Sequence, residues 1–301
     1  MITLKKESES IMKKFAVLIL ILALICSLCA CYSSPKIPEG QVEDAIASAT
    51  TPPVPAEGNK IIYLLKEQRV ENYFPDGTTA VTRSEYAYDS NWHLSTLGKY
   101  TQDGLDEQRT AVCDEQGVVQ KLYINEDNYT LFEYDDHYRV IKMSEYENGN
   151  LVTTSETVYN EEGHAIRTVE TNHQKGTVQR VEISLNDMGQ QTGFREYSND
   201  NLVGTIVYTL NDNGDIKEVF VYDNNGTLNN RQELHYDQEK NVVRTVCYDI
   251  KDKVIATITV VSDAAGNVIL RKQIAQDQAT YTAFYSYYPV EVPAEAPDRE
   301  Y

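Results

Sequence analysis

The chain has 301 residues, of which 46 are acidic and 27 are basic, and its formal net charge is −19 at pH 7. A charge of this sign and size repels the phosphates of nucleic acids and the headgroups of anionic lipids. Nucleic acid is therefore not expected as a partner.

The first 30 residues are predicted to be a lipoprotein signal peptide. Lys13 and Lys14 precede a short apolar run, residues 15–24, which is shorter than the roughly 20 residues that a transmembrane helix needs. The sequence Leu-Cys-Ala-Cys at 28–31 then resembles the bacterial lipobox, in which the last cysteine is lipidated and becomes the mature N-terminus. Cys31 is therefore the predicted lipidation site. The alternative is an ordinary signal peptide with chance cysteines.

A lipid at Cys31 would hold the exported protein on the outer face of the cell membrane or in the cell envelope. Acyl chains contribute about 0.8 kcal/mol per buried CH₂, so two or three chains anchor a protein stably. Removal of residues 1–30 also removes four lysines and two glutamates, which leaves a net charge of −21. The membrane is thus a predicted partner through lipid and not through charge. Translation could start at Met1 or at Met12.

Three further segments are predicted after the signal peptide. Residues 31–59 are rich in Pro, Ser, Thr and Ala without periodicity, which is typical of a flexible linker. Residues 60–288 are predicted to form a domain of β-hairpin repeats. Residues 289–301 are predicted to form an acidic, Pro-rich tail.

One sequence pattern recurs through the repeat domain. It consists of a run of alternating apolar and polar residues, an Asp or Asn anchor, a turn and a second alternating run. Successive anchors are mostly 25 or 26 residues apart, and a fixed period of this size indicates a repeat architecture. The anchors are Asp89, Asp114, Asp135, Asn160, Asn186, Asn211, Asp237 and Asp263.

Residues 202–230 show one complete repeat. Their side chains alternate over 205–210 and again over 216–222, which is the period of a β-strand. The segments 211–214 and 223–226 are turns, because Asn, Asp and Gly tolerate a left-handed backbone. Two strands and two turns per period predict an all-β fold, an elongated, twisted antiparallel meander of about 16 to 18 strands. The Pro-bearing and charged segments at both ends are expected to protect the terminal strands.

These sequence repeats resemble those of the YD-repeat, or RHS-like, family, whose signature is Tyr-Asp, two variable residues, Gly, one variable residue and Leu. Residues 222–228, Tyr-Asp-Asn-Asn-Gly-Thr-Leu, match this signature throughout. The partial matches are Tyr88-Asp89 with Trp92 in the Gly position, Tyr134-Asp135 with Tyr138 there, and Tyr159-Asn160 with Gly163. The resemblance implies stacked β-hairpins. It does not imply toxin delivery, because the chain is much shorter than the shells that long members form around their cargo.

Trp92 and Tyr138 are the candidate binding residues. Each occupies the turn position at which most repeats have Gly or a polar residue, and the two turns lie two repeats apart. An exposed aromatic pair can stack on sugars or bind a protein partner. Alternatively, each ring folds over its own hairpin and shields its edge.

No pattern in the sequence predicts catalysis, a metal site or a cofactor. The five histidines lack metal-ligand spacing, and residues 31–301 contain no CxxC, HExxH, nucleophile elbow or phosphate loop. Carboxylates are abundant but no glycosidase pair stands out among them. Cys113 and Cys247 lie about five repeats apart, so they are expected to be small sheet residues and not a disulfide. The repeated tyrosines are expected to stabilise the sheet.

The sequence as a whole predicts a lipid-anchored repeat protein that presents an elongated surface to a glycan or a protein partner. An architectural component of the cell envelope is the alternative, and a glycan-acting enzyme is the third possibility. A large exposed aromatic patch would favour binding, whereas a uniformly polar surface with a self-complementary edge would favour architecture.

Overall fold

The computed structural model describes residues 41–48, 52–277 and 279–294, which form one short helix and 18 β-strands. The helix, α1, spans Gln41–Ser48. The strands are β1 (Asn59–Tyr73), β2 (Thr79–Tyr88), β3 (Leu94–Thr101), β4 (Gly104–Cys113), β5 (Val119–Tyr123), β6 (Tyr129–Tyr134), β7 (Val140–Glu147), β8 (Asn150–Tyr159), β9 (Ala165–Asn172), β10 (Thr177–Leu185), β11 (Gln191–Ser198), β12 (Asn201–Leu210), β13 (Ile216–Asp223), β14 (Leu228–Asp237), β15 (Val242–Asp249), β16 (Val254–Ser262), β17 (Val268–Ala275) and β18 (Thr280–Pro293). Within the described ranges, no helix has the length and apolar character needed to cross a membrane.

The sheet closes on itself into an 18-stranded antiparallel barrel. Each strand pairs with its neighbours in sequence, and β1 pairs with β18 from Asn59 opposite Pro293 to Tyr73 opposite Thr280. The prediction of an all-β meander of antiparallel hairpins is confirmed, but the prediction that it stays open and elongated is wrong. Closure pairs the backbone N–H and C=O groups that an open sheet would leave at its two edges. The prolines predicted to protect an edge, Pro289 and Pro293, lie within β18 itself.

The two faces of the sheet differ in chemistry. One face, here called the inner face, carries the buried cluster Phe194, Ile206, Tyr208 and Val219, which lies across β11, β12 and β13. Burial raises the pKa of several tyrosines on this face, among them Tyr86, Tyr208, Tyr236 and Tyr287. The other face, the outer face, carries ion pairs between strands, such as Lys142 between Glu133 and Glu156 at 3.7 and 3.9 Å. The side chains of the inner face therefore line the barrel interior.

Five tyrosines link neighbouring strands through their hydroxyl groups. Each hydroxyl donates a hydrogen bond to a backbone carbonyl of the preceding strand; the pairs are Tyr88 to Leu65, Tyr134 to Val119, Tyr159 to Val140, Tyr236 to Ile216 and Tyr287 to Val268, at 2.6 to 3.1 Å. Cys113 occupies the same position in its repeat, and its thiol lies 3.4 Å from the Leu94 carbonyl oxygen. Burial raises the pKa of Tyr134 to about 12, so its phenol stays protonated and able to donate. These repeated side chains stabilise the sheet, as the sequence predicts.

Helix α1 packs against the outer face of the sheet. Its Ala45 joins a buried cluster with Val261 of β16 and Leu270 of β17, and Val42 and Ile46 pack against the same cluster. Positions 42, 45 and 46 lie on one side of an α-helix, so a single apolar stripe makes this contact. The helix lies inside the segment that the sequence predicts to be a flexible linker.

A candidate binding rim

The anchor residues build a repeated turn, and Asp135 shows its geometry. The Asp135 N–H donates to the Arg139 carbonyl at 3.0 Å, and the Tyr138 N–H donates to the Asp135 carbonyl at 3.0 Å. The Asp135 carboxylate accepts hydrogen bonds from the backbone N–H groups of His137 and Arg139 at 2.9 and 3.0 Å. One short side chain thus satisfies two N–H groups that the turn leaves without a backbone partner.

Seven of the eight predicted anchors form this turn. Asp237 instead begins a longer turn, in which Asn241 has a φ of 51°. All eight turns lie at the same end of the barrel, because the intervening turns reverse the chain at the opposite end. We call this end the anchor rim. Each of its turns contains at least one Asp or Glu, so the rim is acidic.

The fourth residue of the anchor turn has a left-handed backbone. Glycine occupies this position in five of the turns; these glycines are Gly117, Gly163, Gly189, Gly214 and Gly266. Trp92 and Tyr138 occupy it in two others, each with a φ of 59°. A left-handed backbone costs a residue with a side chain roughly 1–2 kcal/mol. Two large aromatic residues are therefore held in a conformation that favours glycine.

Trp92 belongs to an aromatic cluster on the anchor rim. Its ring centroid lies 6.4 Å from that of Tyr88, in its own hairpin, and 5.6 Å from that of Tyr288 in β18. Tyr88 and Tyr288 meet edge to face at 6.1 Å, and the Lys66 ammonium lies 5.3 Å from the centre of the Tyr288 ring. Trp92 remains 39% exposed. It therefore packs on its own hairpin and still offers part of its ring to a ligand.

Tyr138 lies on the same rim but not in the same cluster. Its side chain is 47% exposed. The β2–β3 turn that carries Trp92 and the β6–β7 turn that carries Tyr138 are four strands apart, which is roughly 19 Å along the rim at ~4.8 Å per strand. The structure thus brings the two predicted residues to one rim, and a ligand that contacts both must span this distance.

Sequence reasoning missed Tyr288 and Lys66. Both lie where β1 and β18 pair beyond the repeats, next to the β-bulge between Leu65 and Glu67. The repeat pattern could not find them, because Tyr288 contacts Trp92, and Lys66 contacts Tyr288, only when the barrel closes. Tyr288 is also the last residue of the predicted repeat domain, so no later repeat marks its position.

A cavity of about 810 Å³ lies beside the rim, between α1, the segment 52–53 and strands β1, β17 and β18. Its lining includes Asp44, Asp263, Tyr63 and Tyr287. Burial and the nearby negative charge of Asp263 raise the pKa of Tyr63. Two carboxylates beside neutral phenols make this cavity unsuited to an anionic ligand.

The remaining candidate groups are structural or lie elsewhere. No three His, Cys, Asp or Glu side chains among the described residues come together as a metal site. His93 lies in its turn with its ring 3.8 Å from Asp89, and His137 and His164 occupy equivalent turns. Cys113 and Cys247 lie within strands β4 and β15, and neither is in a disulfide. The predicted lipidation site, Cys31, lies outside the described residues.

Comparison with known protein families and with curated proteins gives no match. Comparison with solved structures gives matches of low similarity. A porin-like protein from Bacteroides uniformis has 13% identity over 74% of this chain and 98% of its own, with a TM-score of 0.29. The protein TcdB2–TccC3 without its hypervariable C-terminal region has 9% identity over 68% of this chain and 13% of its own, with a TM-score of 0.32.

A LolA-superfamily protein from Nitrosomonas europaea has 9% identity over 87% of this chain and 96% of its own, with a TM-score of 0.23. Because all three TM-scores are below 0.5, these likenesses support no argument about function. The chain is an all-β antiparallel barrel that the comparisons place in no family.

Proposed function

We propose that this protein is exported, anchored in the cell envelope by lipid at Cys31, and binds a glycan or a protein partner at its anchor rim. The observation that carries the proposal is the left-handed backbone of Trp92 and Tyr138. Strain of this kind persists where the surrounding structure or a function requires it. Glycine fills the same position in five sister turns, so the turn itself does not require an aromatic residue.

The chemistry of the rim favours a neutral glycan. A sugar ring has apolar C–H faces that stack on aromatic rings, and hydroxyl groups that donate hydrogen bonds to carboxylates. The cluster of Tyr88, Trp92 and Tyr288 supplies ring faces, and the acidic anchor turns supply acceptors. A cationic surface protein is the second candidate, because the same acidic turns attract positive charge.

The position of the two ends of the barrel is compatible with an N-terminal anchor. The first residue of β1, Asn59, and the last residue of β18, Pro293, both lie at the anchor rim. The barrel therefore begins and ends at this rim. Metabolic labelling with a fatty acid should label the wild type and fail in Cys31→Ala; labelling that persists in the variant would contradict the anchor.

Partner retention by rim variants tests the binding site. We expect Trp92→Ala and Tyr138→Ala each to weaken retention on a glycan array about 10-fold, which corresponds to about 1.4 kcal/mol per lost ring contact. Retention of a glycan should be nearly the same in 0.1 M and 1 M salt. Retention of a cationic protein should fall at 1 M salt, because the screening length shortens from about 10 Å to about 3 Å.

Two controls sharpen this test. Phe74→Ala removes an aromatic residue that is 44% exposed on the opposite rim, and it should not change retention. Tyr138→Gly relieves the left-handed strain, so it should raise the free energy of unfolding by roughly 0.5–1 kcal/mol while retention falls. Equal retention by the wild type and the Trp92→Ala, Tyr138→Ala double variant would exclude the rim site and favour an architectural role.

A further inference from the structure

Arg271 is a buried arginine that has no charged partner among the described residues. It lies on the inner face of β17, between Val260 of β16 and Ala283 of β18, and its side chain is 2% exposed. Within the described parts of the chain, its Nε and Nη2 atoms have no hydrogen-bond partner. Burial lowers the pKa of Arg271, and the neighbouring phenols of Tyr281 and Tyr285 act in the opposite direction. A guanidinium buried without an acceptor is strongly unfavourable.

The neighbours of Arg271 are polar but neutral. Its guanidinium lies 6.0 Å from the centre of the Tyr281 ring. Gln68 of β1 donates a hydrogen bond to the Tyr285 hydroxyl at 3.4 Å, and the buried amide oxygen of Gln273 in β17 has no partner in the described part of the chain. Among the inner-face positions of the described strands β1, β2, β16, β17 and β18, Glu291 is the one acidic residue, and it is exposed near the far end of β18. Among the described residues, Arg271 therefore forms no ion pair with the strands beside it.

The two nitrogens without partners define the kind of ligand. Nε and Nη2 lie on the same edge of the guanidinium group, and that edge binds a carboxylate or a phosphate through two parallel hydrogen bonds. The hydroxyls of Tyr281 and Tyr285 can donate to the remaining oxygens of such a group. Ile258, Val260 and Cys247 form an apolar cluster on the adjoining strands of the same face. The surroundings thus combine anion donors with an apolar wall.

We propose that the barrel interior binds an organic anion at Arg271, a molecule whose carboxylate or phosphate group sits on the guanidinium edge and whose apolar body lies on the cluster of Cys247, Ile258 and Val260. This site is separate from the anchor rim. It takes a negatively charged ligand, whereas the acidic rim takes a neutral or positive one. The two proposals can therefore fail independently.

Calorimetric titration of the whole exported chain tests the site with two probes, octanoate and octyl phosphate, at low salt. We expect at least one probe to bind the wild type and to raise its melting temperature. Arg271→Met, which keeps the side-chain volume but removes the charge, should weaken binding at least 100-fold. Arg271→Lys, which keeps the charge but loses the two-nitrogen edge, should weaken it about 10-fold. Binding of octanoate but not of octyl phosphate would indicate a carboxylate ligand, and the reverse result would indicate a phosphate ligand.

Arg244→Met is the matched control, because Arg244 is an exposed arginine on the outer face of the nearby strand β15. It should bind both probes like the wild type. Without a probe, Arg271→Met should be at least as stable as the wild type, since it removes an unpaired buried charge; a purely structural arginine would give the opposite result. The proposal is overturned if neither probe binds the wild type, or if either binds Arg271→Met or Arg271→Lys as tightly as the wild type.

Discussion

At the scale of single residues, the anchors show how one side chain fixes a turn. The Asp135 carboxylate accepts two backbone N–H bonds, and the Arg139 guanidinium donates to its second oxygen at 2.6 Å. Partial burial alone would raise the pKa of Asp135, but the bonds from Arg139 and from the two N–H groups lower it below its ordinary value. The same guanidinium carbon lies 4.6 Å from the centre of the Tyr159 ring. The anchor therefore connects two neighbouring hairpins through Arg139.

Asp135 should make the stability of the protein depend on pH. Because its pKa is lower in the folded than in the unfolded state, the charged form stabilises the fold above about pH 4, and this contribution is lost as the pH falls through the folded pKa. Asp135→Asn keeps the acceptor for the backbone but loses the charge. We expect the variant to be less stable than the wild type at pH 7, and this difference should disappear as the pH falls below about 4.

Asp223→Asn is the control for this measurement by denaturant unfolding. Asp223 anchors the same turn at the opposite rim, and no basic side chain among the described residues forms an ion pair with it. The free energy of unfolding of Asp223→Asn should differ less from the wild type than that of Asp135→Asn does. A constant difference between Asp135→Asn and the wild type from pH 7 to pH 2 would contradict the role given to the charge.

The sequence predicts the conformation of the turns well, because Asp, Asn and Gly report local backbone geometry. The position shared by Gly117, Gly163, Trp92 and Tyr138 is visible as a recurring slot in the repeat. The contact between Trp92 and Tyr288 is not visible, because it joins residues almost 200 positions apart in the chain. Arg271 is hidden for the same reason, since the sequence shows which face it shares only after the strand register is known.

At the scale of elements, the hairpins follow from local sequence and α1 does not. Alternating side chains and turn residues specify each strand without help from distant residues. An eight-residue helix is too short to be stable through its own propensity, so it depends on packing. Its partners Val261 and Leu270 lie more than 200 residues away, which explains why the segment resembles a linker in the sequence.

The equivalence of the repeats predicts that one period can be removed. Deletion of 187–211 joins Asn186 to Asp212 and recreates an Asn-Asp-Asn-Gly-Asp turn between β10 and β13. The shortened chain has 16 strands and can still close as an antiparallel barrel. It loses Phe194, Ile206 and Tyr208 from the inner cluster, so we expect its free energy of unfolding to fall by roughly 3–5 kcal/mol while its β circular dichroism remains.

Removal of a single strand is the matched control for that deletion. Deletion of 187–198 removes β11 alone, leaves 17 strands and cannot preserve antiparallel pairing around the barrel. This variant should not yield folded protein. If the loss of 187–211 abolished β structure as completely as the loss of 187–198, the repeats would not be interchangeable units.

At the scale of the whole molecule, closure is the property that the sequence does not reveal. A repeat of similar hairpins is compatible with an open sheet or a closed one, because the local pairing is the same in both. The pairing of β1 with β18 decides between them, and neither strand carries an anchor turn at that seam. The anchor rim with its aromatic cluster and the interior with Arg271 both exist only because this seam forms.

A disulfide across the seam tests closure most directly. Glu67 of β1 and Ser286 of β18 are paired residues, and Ser286 is exposed. We consider Glu67→Cys with Ser286→Cys in a chain that begins at residue 32 and carries Cys113→Ser and Cys247→Ala. In an open sheet of 18 strands the two positions would be roughly 80 Å apart, far beyond the ~4.4–6.8 Å between Cα atoms that a disulfide permits.

A pair of cysteines at Glu67 and Glu156, on the outer face of β1 and β8, is the control that should stay reduced. The closed barrel predicts one disulfide within a monomeric chain, and this disulfide should raise the free energy of unfolding by roughly 2–4 kcal/mol. Two free thiols at positions 67 and 286 under the same oxidising conditions, or bonds only between chains, would contradict the closed barrel.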